Sequence, residues 1–361
     1  MPKPRTPFRL RAWLAAAGAS ALLALGAGAA PAAAQSSAID SASLAGVTGV
    51  GIHNTYNDKT DYTYLADALD TGASLIELDT WANVLNGKWD VSHSDPLASD
   101  NNCVQATTAA GLYTGDRNQN LDSCLDDIRL WMLAHPTHGP VMVKIEMKNG
   151  FDDTLGMDPA EFDSYVKAHL GSVLYTPADL LAKPDGSLYP TLDAAAQADN
   201  WGTYGSLAGK VIVEIIPGTF EQAVDPSSTW VDVVYAQHLL DLYNSGEIAD
   251  AAVFPSVLGA QAGDPRDRYS DTALRPWFVV FDGDAGTWVS DGDTQWYDTS
   301  HYLVVVTDAY DVSPALSDTA PALADAQARV EELAADGASF VSTDWNTAPA
   351  SAVLGDVLLR G

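Results

Sequence analysis

The stretch SLIELDTW, Ser74–Trp81, holds the strongest indication of how this chain folds. It reads as an apolar β-strand that two acidic residues, Glu77 and Asp79, interrupt. Side chains two residues apart on a strand project to the same side. Two neighbouring carboxylates on a buried strand raise each other's pKa unless a cation neutralises them. The stretch therefore predicts a buried strand with a charged site near its end.

Seven further apolar runs resemble this one, and segments of helical length and spacing separate them. Nearly continuous hydrophobicity is typical of strands buried on both faces of a parallel sheet. The predicted strands are Val47–His53, Ser74–Asp79, Val141–Met147, Lys210–Ile216, Ala251–Val257, Trp277–Asp282, Tyr302–Asp308 and Ser339–Asp344. The predicted helices are Tyr62–Thr71, Leu121–Ala134, Pro159–Leu170, Val231–Tyr243 and Ala320–Asp336. This alternation predicts an α/β fold, a single-domain (β/α)8 barrel of the TIM type with room for local distortion; a doubly wound open sheet is the alternative.

Polar residues gather where the predicted strands end. In a barrel these carboxyl ends meet at one mouth, where active sites are built. Alternatively, strand ends are polar because the loops that follow them are hydrated. This alternative explains Asp282 and Asp308 well, but it explains charges inside apolar strands poorly. The residues concerned are His53, Glu77, Asp79, Glu146, Lys148, Glu214, Asp282, Asp308 and Asp344.

The amino terminus has the pattern of a secretory signal. Four basic residues within the first eleven positions precede an Ala/Leu-rich run that ends near Ala34. We therefore predict a signal peptide over residues 1–34, a secreted protein, and one catalytic domain over residues 35–361. No later run approaches the roughly 20 apolar residues that span a bilayer.

The composition excludes one class of partner. The chain has 48 acidic and 18 basic residues, for a net charge of −30. Such a chain repels nucleic acid, so we expect no nucleic-acid partner. We expect a monomer.

Cys103 and Cys124 are the two cysteines of the chain. In an exported protein such a pair most simply forms a disulfide, which is worth roughly 3 kcal/mol. A reactive thiol is the alternative, but no motif places an activating histidine near either residue.

The charged residues suggest a metal site beside acid–base groups. Glu146, in the predicted strand VMVKIEM, adds a third carboxylate, and Asn54 adds an amide oxygen. Oxygen ligands of this kind suit Ca²⁺ or Mg²⁺, and we favour Ca²⁺. His53 ends the first strand, and His93 ends a short alternating run, WDVSH, that is expected to return beside the second strand. Two histidines near a metal suit phosphodiester cleavage, although they are also compatible with two unrelated loop residues.

Four motifs together resemble those of a known family. They are HNTY at His53–Tyr56, ELDTW at Glu77–Trp81, VSHSDPL at Val91–Leu97 and VKIEMKN at Val143–Asn149. In order and spacing the chain resembles the calcium-dependent phosphatidylinositol-specific phospholipases C, in particular the secreted actinobacterial enzymes, within the superfamily of phospholipase C-like phosphodiesterases. The resemblance is sharp over residues 45–150 and architectural beyond them.

The resemblance implies a reaction and a role for each residue. The substrate would be phosphatidylinositol or a related inositol phospholipid, met transiently at a membrane or micelle surface and cleaved to diacylglycerol and a cyclic or acyclic inositol phosphate. His53 would contact the phosphate as base or transition-state stabiliser, and His93 would be the general acid; the family pattern leaves the base open between His53 and a carboxylate. Ca²⁺ would be bound by Asn54, Glu77, Asp79 and Glu146.

Other residues are assigned by weaker arguments. Lys148 is a candidate for holding the substrate phosphate, and Asp344 and Trp345 are candidates for contacts to the inositol ring. Eukaryotic relatives bind ring phosphates with lysines on the fourth strand, where this chain has Glu214. We therefore expect an unphosphorylated or glycan-linked inositol lipid.

Three other functions compete with this interpretation. A glycerophosphodiester phosphodiesterase shares the barrel and paired histidines, but it typically has His-Arg where this chain has His53 and Asn54. A catalytically inactive, calcium-dependent binding module would be expected to have lost a histidine or a carboxylate. A structural extracellular protein would explain the acidity and the disulfide, but not the alignment of polar strand ends.

Overall fold

The protein is an eight-stranded parallel barrel in a computed structural model that describes residues 32–291 and 293–361. Strand β1 pairs with both β2 and β10, and this double pairing closes the sheet. The barrel strands are β1 (Val47–Ile52), β2 (Leu75–Asn83), β4 (Val141–Met147), β6 (Val211–Pro217), β7 (Phe254–Leu258), β8 (Val280–Asp284), β9 (Leu303–Thr307) and β10 (Phe340–Thr343). All eight predicted strands are confirmed, and the closed barrel replaces the open-sheet alternative.

Three short strands extend the barrel sheet: β3 (Lys88–Val91), β5 (Leu174–Tyr175) and β11 (Val357–Leu359). β3 runs antiparallel to β2, with Thr80 opposite Val91. This pairing confirms the predicted hairpin return. It also explains why β2 continues four residues past the predicted end at Asp79: the extra residues pair with β3.

Helices surround the barrel and connect its strands. They are α1 (Ala32–Ser41), α2 (Leu65–Leu69), α3 (Leu121–Ala134), α4 (Pro159–Leu170), α5 (Pro177–Leu181), α6 (Leu192–Gln197), α7 (Thr219–Val224), α8 (Val231–Ser245), α9 (Ala285–Asp291), α10 (Gln295–Thr299) and α11 (Leu323–Ala335). α3 and α4 have the predicted bounds. The start of α4 is fixed locally, because Asp158 accepts a hydrogen bond from the Glu161 amide and Pro159 occupies the first turn.

A close approach of two strands positions the first polar turn. A Cβ atom on Gly51 would lie 2.5 Å from the Cβ of Leu75, so only glycine fits on β1 at this point. Two residues further along the chain, the turn after β1 begins at His53. The contact thus brings that turn against the acidic part of β2.

The disulfide prediction is confirmed: Cys103 and Cys124 are bonded and buried, which ties the loop after β3 to α3. The predicted signal peptide lies almost wholly outside the described residues, and α1 already includes its last three positions. Of the helices described, none is long and apolar enough to cross a membrane.

Candidate active site

The sheet register stacks charged residues in two rows inside the carboxyl half of the barrel. Glu77, Lys144 and Glu214 are direct neighbours across β2, β4 and β6. Two residues further along, Asp79 and Glu146 are neighbours across β2 and β4. Because side chains alternate along a strand, both rows share one side of the sheet.

The outer row belongs to a group of carboxylates that we call the mouth cluster: Glu77, Asp79 and Glu146. One oxygen of each lies within 4.8 Å of the others. Asp79 is fully buried, and neither of its oxygens makes a hydrogen bond of normal geometry. The ammonium group of Lys148 lies 2.6 Å from Asp79 Oδ2 and 2.9 Å from Glu146 Oε2.

The electrostatics of the mouth cluster call for a cation. Burial, and then the charges of Glu77 and Glu146, raise the pKa of Asp79 to about 7 despite the opposing effect of Lys148. Burial likewise works to raise the pKa of Glu77, but Lys144 and His53 outweigh it, and the pKa is lowered. A carboxyl group without normal hydrogen bonds, beside two further carboxylates, fits a hard divalent ion with oxygen ligands.

The turn after β1 places a histidine and an amide beside this cluster. His53 Nδ1 lies 3.1 Å from Asp344 Oδ1, and His53 Nε2 lies 3.8 Å from Glu77 Oε2. Asn54 adopts a positive φ of 49°, which asparagine tolerates better than most residues, and its backbone N–H donates to Glu77 Oε2 at 3.2 Å. The Tyr56 hydroxyl donates to Asn54 Oδ1 at 3.5 Å. The turn therefore brings the backbone of Asn54 to the mouth cluster, and the role of its side chain as a calcium ligand stays a prediction.

The surroundings of His53 favour its protonated form. Burial acts to lower its pKa, but the hydrogen bond to Asp344 and the charge of Glu77 outweigh it, and the pKa is raised to about 9. A protonated imidazole donates hydrogen bonds from both nitrogens. This state favours phosphate binding over proton abstraction by His53.

His93 reaches the same end of the barrel without touching the cluster. Its neighbour Ser92 donates a backbone hydrogen bond to the Asp79 carbonyl at 3.2 Å, just beyond the end of β3. His93 itself is exposed, and no hydrogen bond or ion pair joins it to any residue that the structure describes. The hairpin thus places this imidazole at the mouth, where it faces solvent.

Below the mouth lies a second charged group, the interior cluster of Lys144, Glu214 and Asp282. Lys144 Nζ is 2.9 Å from Asp282 Oδ2 and 3.5 Å from Glu77 Oε1. Asp282 is buried, so the expectation that a hydrated loop explains it is wrong. Glu214 is fully buried, and burial raises its pKa to about 8. It lies inside the barrel and is therefore not placed to repel a ring phosphate, so that reason for expecting an unphosphorylated lipid fails.

Of the two residues assigned to the inositol ring, Asp344 lines a cavity beside His53, whereas Trp345 does not. Asp344 is half-buried and pairs with His53, so it can orient the imidazole. Trp345 is fully buried, and its indole N–H donates to the Ser317 carbonyl at 3.0 Å, so it packs the fold and cannot contact a ring at the surface. Its position after a predicted strand end did not distinguish an exposed indole from a buried one.

Two groups that contact the mouth cluster were not predicted from the sequence. The backbone N–H of Thr219, the first residue of α7, donates to Glu146 Oε1 at 2.8 Å. Lys144 lies in a predicted strand but was not singled out, although a lysine within an apolar strand was a visible signal. Backbone donors such as Thr219 leave no such signal in the sequence.

Two solved structures similar to this chain show its family and fold. No family model and no curated protein matches the chain. Among solved structures, a Ca²⁺-dependent phosphatidylinositol-specific phospholipase C from Streptomyces antibioticus is similar with a TM-score of 0.84 and 48% identity, over 89% of this chain and 99% of that one. A calcium-dependent phosphoinositol-specific phospholipase C from a Pseudomonas species has a TM-score of 0.64 and 21% identity, over 87% of this chain and 95% of that one, and shows the same fold.

Proposed function

The chain belongs to the family of calcium-dependent phosphatidylinositol-specific phospholipases C, and from this premise we propose that it is a secreted enzyme that cleaves phosphatidylinositol or a closely related lipid. The products are diacylglycerol and an inositol phosphate, cyclic or acyclic. The single observation that carries the proposal is the convergence of Glu77, Asp79 and Glu146 within 4.8 Å, next to His53. These carboxylates, with Asn54, are the proposed Ca²⁺ ligands.

The proposed reaction divides its proton transfers between different groups. The inositol 2-hydroxyl attacks phosphorus and loses its proton to a base, while the bond between phosphorus and the glycerol oxygen breaks. His93 donates a proton to that oxygen, which leaves as diacylglycerol. His53, oriented by Asp344, donates a hydrogen bond to the phosphate. Calcium, when bound, supplies positive charge at the phosphate and lowers the pKa of the attacking hydroxyl.

A cavity beside His53 supports a neutral headgroup. It has a volume of about 300 Å³, and the described residues that line it include neither lysine nor arginine. Carboxylate and amide oxygens suit the hydroxyl groups of a polyol better than phosphate groups, which need positive charge. Among the lining residues are Asn57, Asp58, Asp61, Asn346 and Thr347.

Exposed apolar side chains beside the mouth support contact with a lipid surface. Leu85, in the turn between β2 and β3, is 75% exposed. Phe220 is 48% exposed on α7, which begins at the donor to Glu146, and its ring lies 5.6 Å from that of Trp81 on β2. Apolar groups placed next to a polar cleft fit a substrate that is drawn from a membrane or micelle. The basic and then apolar amino terminus supports export by a signal peptide.

The proposal is tested with phosphatidylinositol micelles in excess calcium or in EGTA, with the products followed by phosphorus NMR. We expect an inositol phosphate in calcium and almost none in EGTA. Calcium-independent cleavage would refute the metal assignment, and release of glycerophosphoinositol or phosphatidic acid would refute the bond assignment.

A histidine pair tests the proposed acid. His93→Ala is expected to reduce turnover of phosphatidylinositol about 100-fold or more, because general acid–base groups contribute factors of this size. The matched control is His135→Ala, since His135 is also exposed but precedes β4 at the opposite end of the barrel. Full activity of the His93 variant would remove the proposed acid.

A further inference from the structure

Lys148 has a rigid backbone and a charged side chain that points into the mouth cluster. Its N–H donates to the Thr80 carbonyl at 2.8 Å, and its carbonyl accepts from the Glu221 amide at 2.8 Å. The side chain is only 5% exposed, although it starts one residue beyond the end of β4. The position of its ammonium group is therefore set by side-chain rotation alone.

This ammonium group occupies the place of a metal relative to two carboxylates. It lies 2.6 Å from Asp79 Oδ2 and 2.9 Å from Glu146 Oε2. Calcium binds carboxylate oxygens at roughly 2.3–2.6 Å, so an ion bound between Asp79 Oδ2 and Glu146 Oε2 would need the space that the ammonium group fills. At such short separations, two positive charges also repel each other strongly. These two oxygens therefore cannot bind the ammonium group and a calcium ion in this arrangement at the same time.

We propose that Lys148 is a tethered counter-cation that competes with calcium for Asp79 and Glu146. This inference rests on the proposed calcium site. In the metal-free protein the lysine neutralises the two carboxylates, and it must rotate away before they can bind the ion. The apparent calcium affinity is then the intrinsic affinity multiplied by the fraction of molecules in which the site is free of the lysine. If that fraction is about one tenth, the apparent affinity is about tenfold lower than the intrinsic affinity.

The competition raises the calcium concentration at which the site is half filled. A cluster of three carboxylates with no internal cation would bind calcium tightly, but it would be strongly self-repelling without the ion. Lys148 relieves that repulsion in the calcium-free protein. Because the same contacts stabilise the calcium-free state relative to the calcium-bound state, they also weaken calcium binding. The interior lysine differs from Lys148: Lys144 contacts a single carboxylate of the mouth cluster, Glu77, at 3.5 Å, and its nearer partner is Asp282 at 2.9 Å.

The test is calcium binding by titration calorimetry of chelator-treated protein. Lys148→Met removes the charge and keeps a long side chain, and we expect its dissociation constant for calcium to fall about tenfold. Lys148→Arg keeps the charge and is expected to show no such tightening. The matched control is Lys183→Met, which removes a lysine that lies over the Tyr189 ring and is expected to leave the dissociation constant unchanged.

Each outcome of the titration either supports or refutes the competition between Lys148 and calcium. Unchanged or weaker calcium binding by a folded Lys148→Met variant would overturn the competition while leaving the calcium site intact. No calcium binding by either the unaltered protein or this variant would overturn the calcium site, and the competition with it. If Lys148→Met does not fold, the Nζ resonance of Lys148 in the unaltered protein serves instead: it should shift with calcium at the same midpoint as binding, and an unmoved resonance refutes displacement.

Discussion

Lys144 and Lys148 are four residues apart in the chain, and each ammonium group contacts two carboxylates, yet they belong to different regions. Lys144 lies in the middle of β4, where Glu77 and Glu214 are its neighbours in the sheet. Lys148 lies just past the end of β4, where the strands open to the mouth. Exposure does not separate them, since their side chains are 4% and 5% exposed. Position along the barrel, more than exposure, therefore separates the two lysines: Lys144 is enclosed within β4, and Lys148 faces the proposed calcium site.

Glu77 links the two regions. One of its oxygens faces Lys144 at 3.5 Å, and the other accepts from the Asn54 amide at 3.2 Å. The interior cation therefore keeps Glu77 ionised and oriented from below, while the upper oxygen stays available to the site. Lys144 acts here as a positioning residue.

The largest expected effect is a loss of stability when the interior lysine, Lys144, is replaced. Lys144→Met should lower the free energy of unfolding by about 3–5 kcal/mol, because it leaves Asp282 as a buried charge without a cation and leaves Glu77 with His53 alone as an ion-pair partner. Lys148→Met should cost about 1 kcal/mol or less, since Asp79 can take up a proton and water can enter the mouth. Urea unfolding in EGTA measures both values. Equal losses would show that the two pairs do not differ in the way proposed.

A smaller effect separates the two regions by calcium binding. Asp79→Asn should weaken calcium binding about 100-fold, which corresponds to roughly 2.7 kcal/mol, because it removes a charged ligand. Asp282→Asn should change the calcium dissociation constant by less than about threefold, since its carboxylate contacts Lys144 instead of the mouth cluster. Calorimetric titration measures both constants. An equally large loss of calcium affinity in the Asp282 variant would show that the mouth cluster and the interior cluster act together in calcium binding.

The smallest effect concerns the pH dependence of the interior cluster. The pKa of Glu214 is raised from 4.5 to about 8 in the folded protein, chiefly by burial. The folded state therefore holds a proton that the unfolded state releases, so this contribution to stability is complete below about pH 4.5 and is lost as pH rises through about 8. Relative to Glu214→Gln, which stays neutral, the unaltered protein should lose about 2 kcal/mol between about pH 6 and about pH 8.

Urea unfolding in EGTA at several pH values measures this difference. The matched control is Glu331→Gln, an exposed position on α11, whose difference from the unaltered protein should not vary with pH over this range. A constant difference for Glu214→Gln as well would mean that Glu214 is ionised inside the barrel at neutral pH.

Local sequence patterns were enough to predict most of the fold. Apolar runs such as Val141–Met147 and helical patterns such as Leu121–Ala134 appear in the structure with the predicted bounds, because burial on both faces of a strand and on one face of a helix leaves a periodic record in the chain. The extension of β2 to Asn83 left no such record, since it depends on pairing with β3.

The candidate site was only partly visible in the sequence. The positions of His53, Asn54, Glu77, Asp79 and Glu146 at strand ends predicted their convergence, and the barrel brings them together. The packing of Trp345 and the burial of Asp282 were not predictable, because an apolar or charged residue after a strand can turn either way. The same limit applied to the Thr219 N–H, which any residue at that position would offer.

Side-chain periodicity and residue chemistry are properties of the chain, so they were enough to predict the barrel, the disulfide and the set of charged residues that a phosphodiesterase needs. Only the tertiary structure decided which charges face each other. Sheet register placed Glu77 beside Lys144 and Asp79 beside Glu146, and closure of the barrel brought Asp282 and Asp344 across to Lys144 and His53. Electrostatic energies depend on distances of a few ångströms between residues far apart in the chain, and those distances exist only once the barrel has closed.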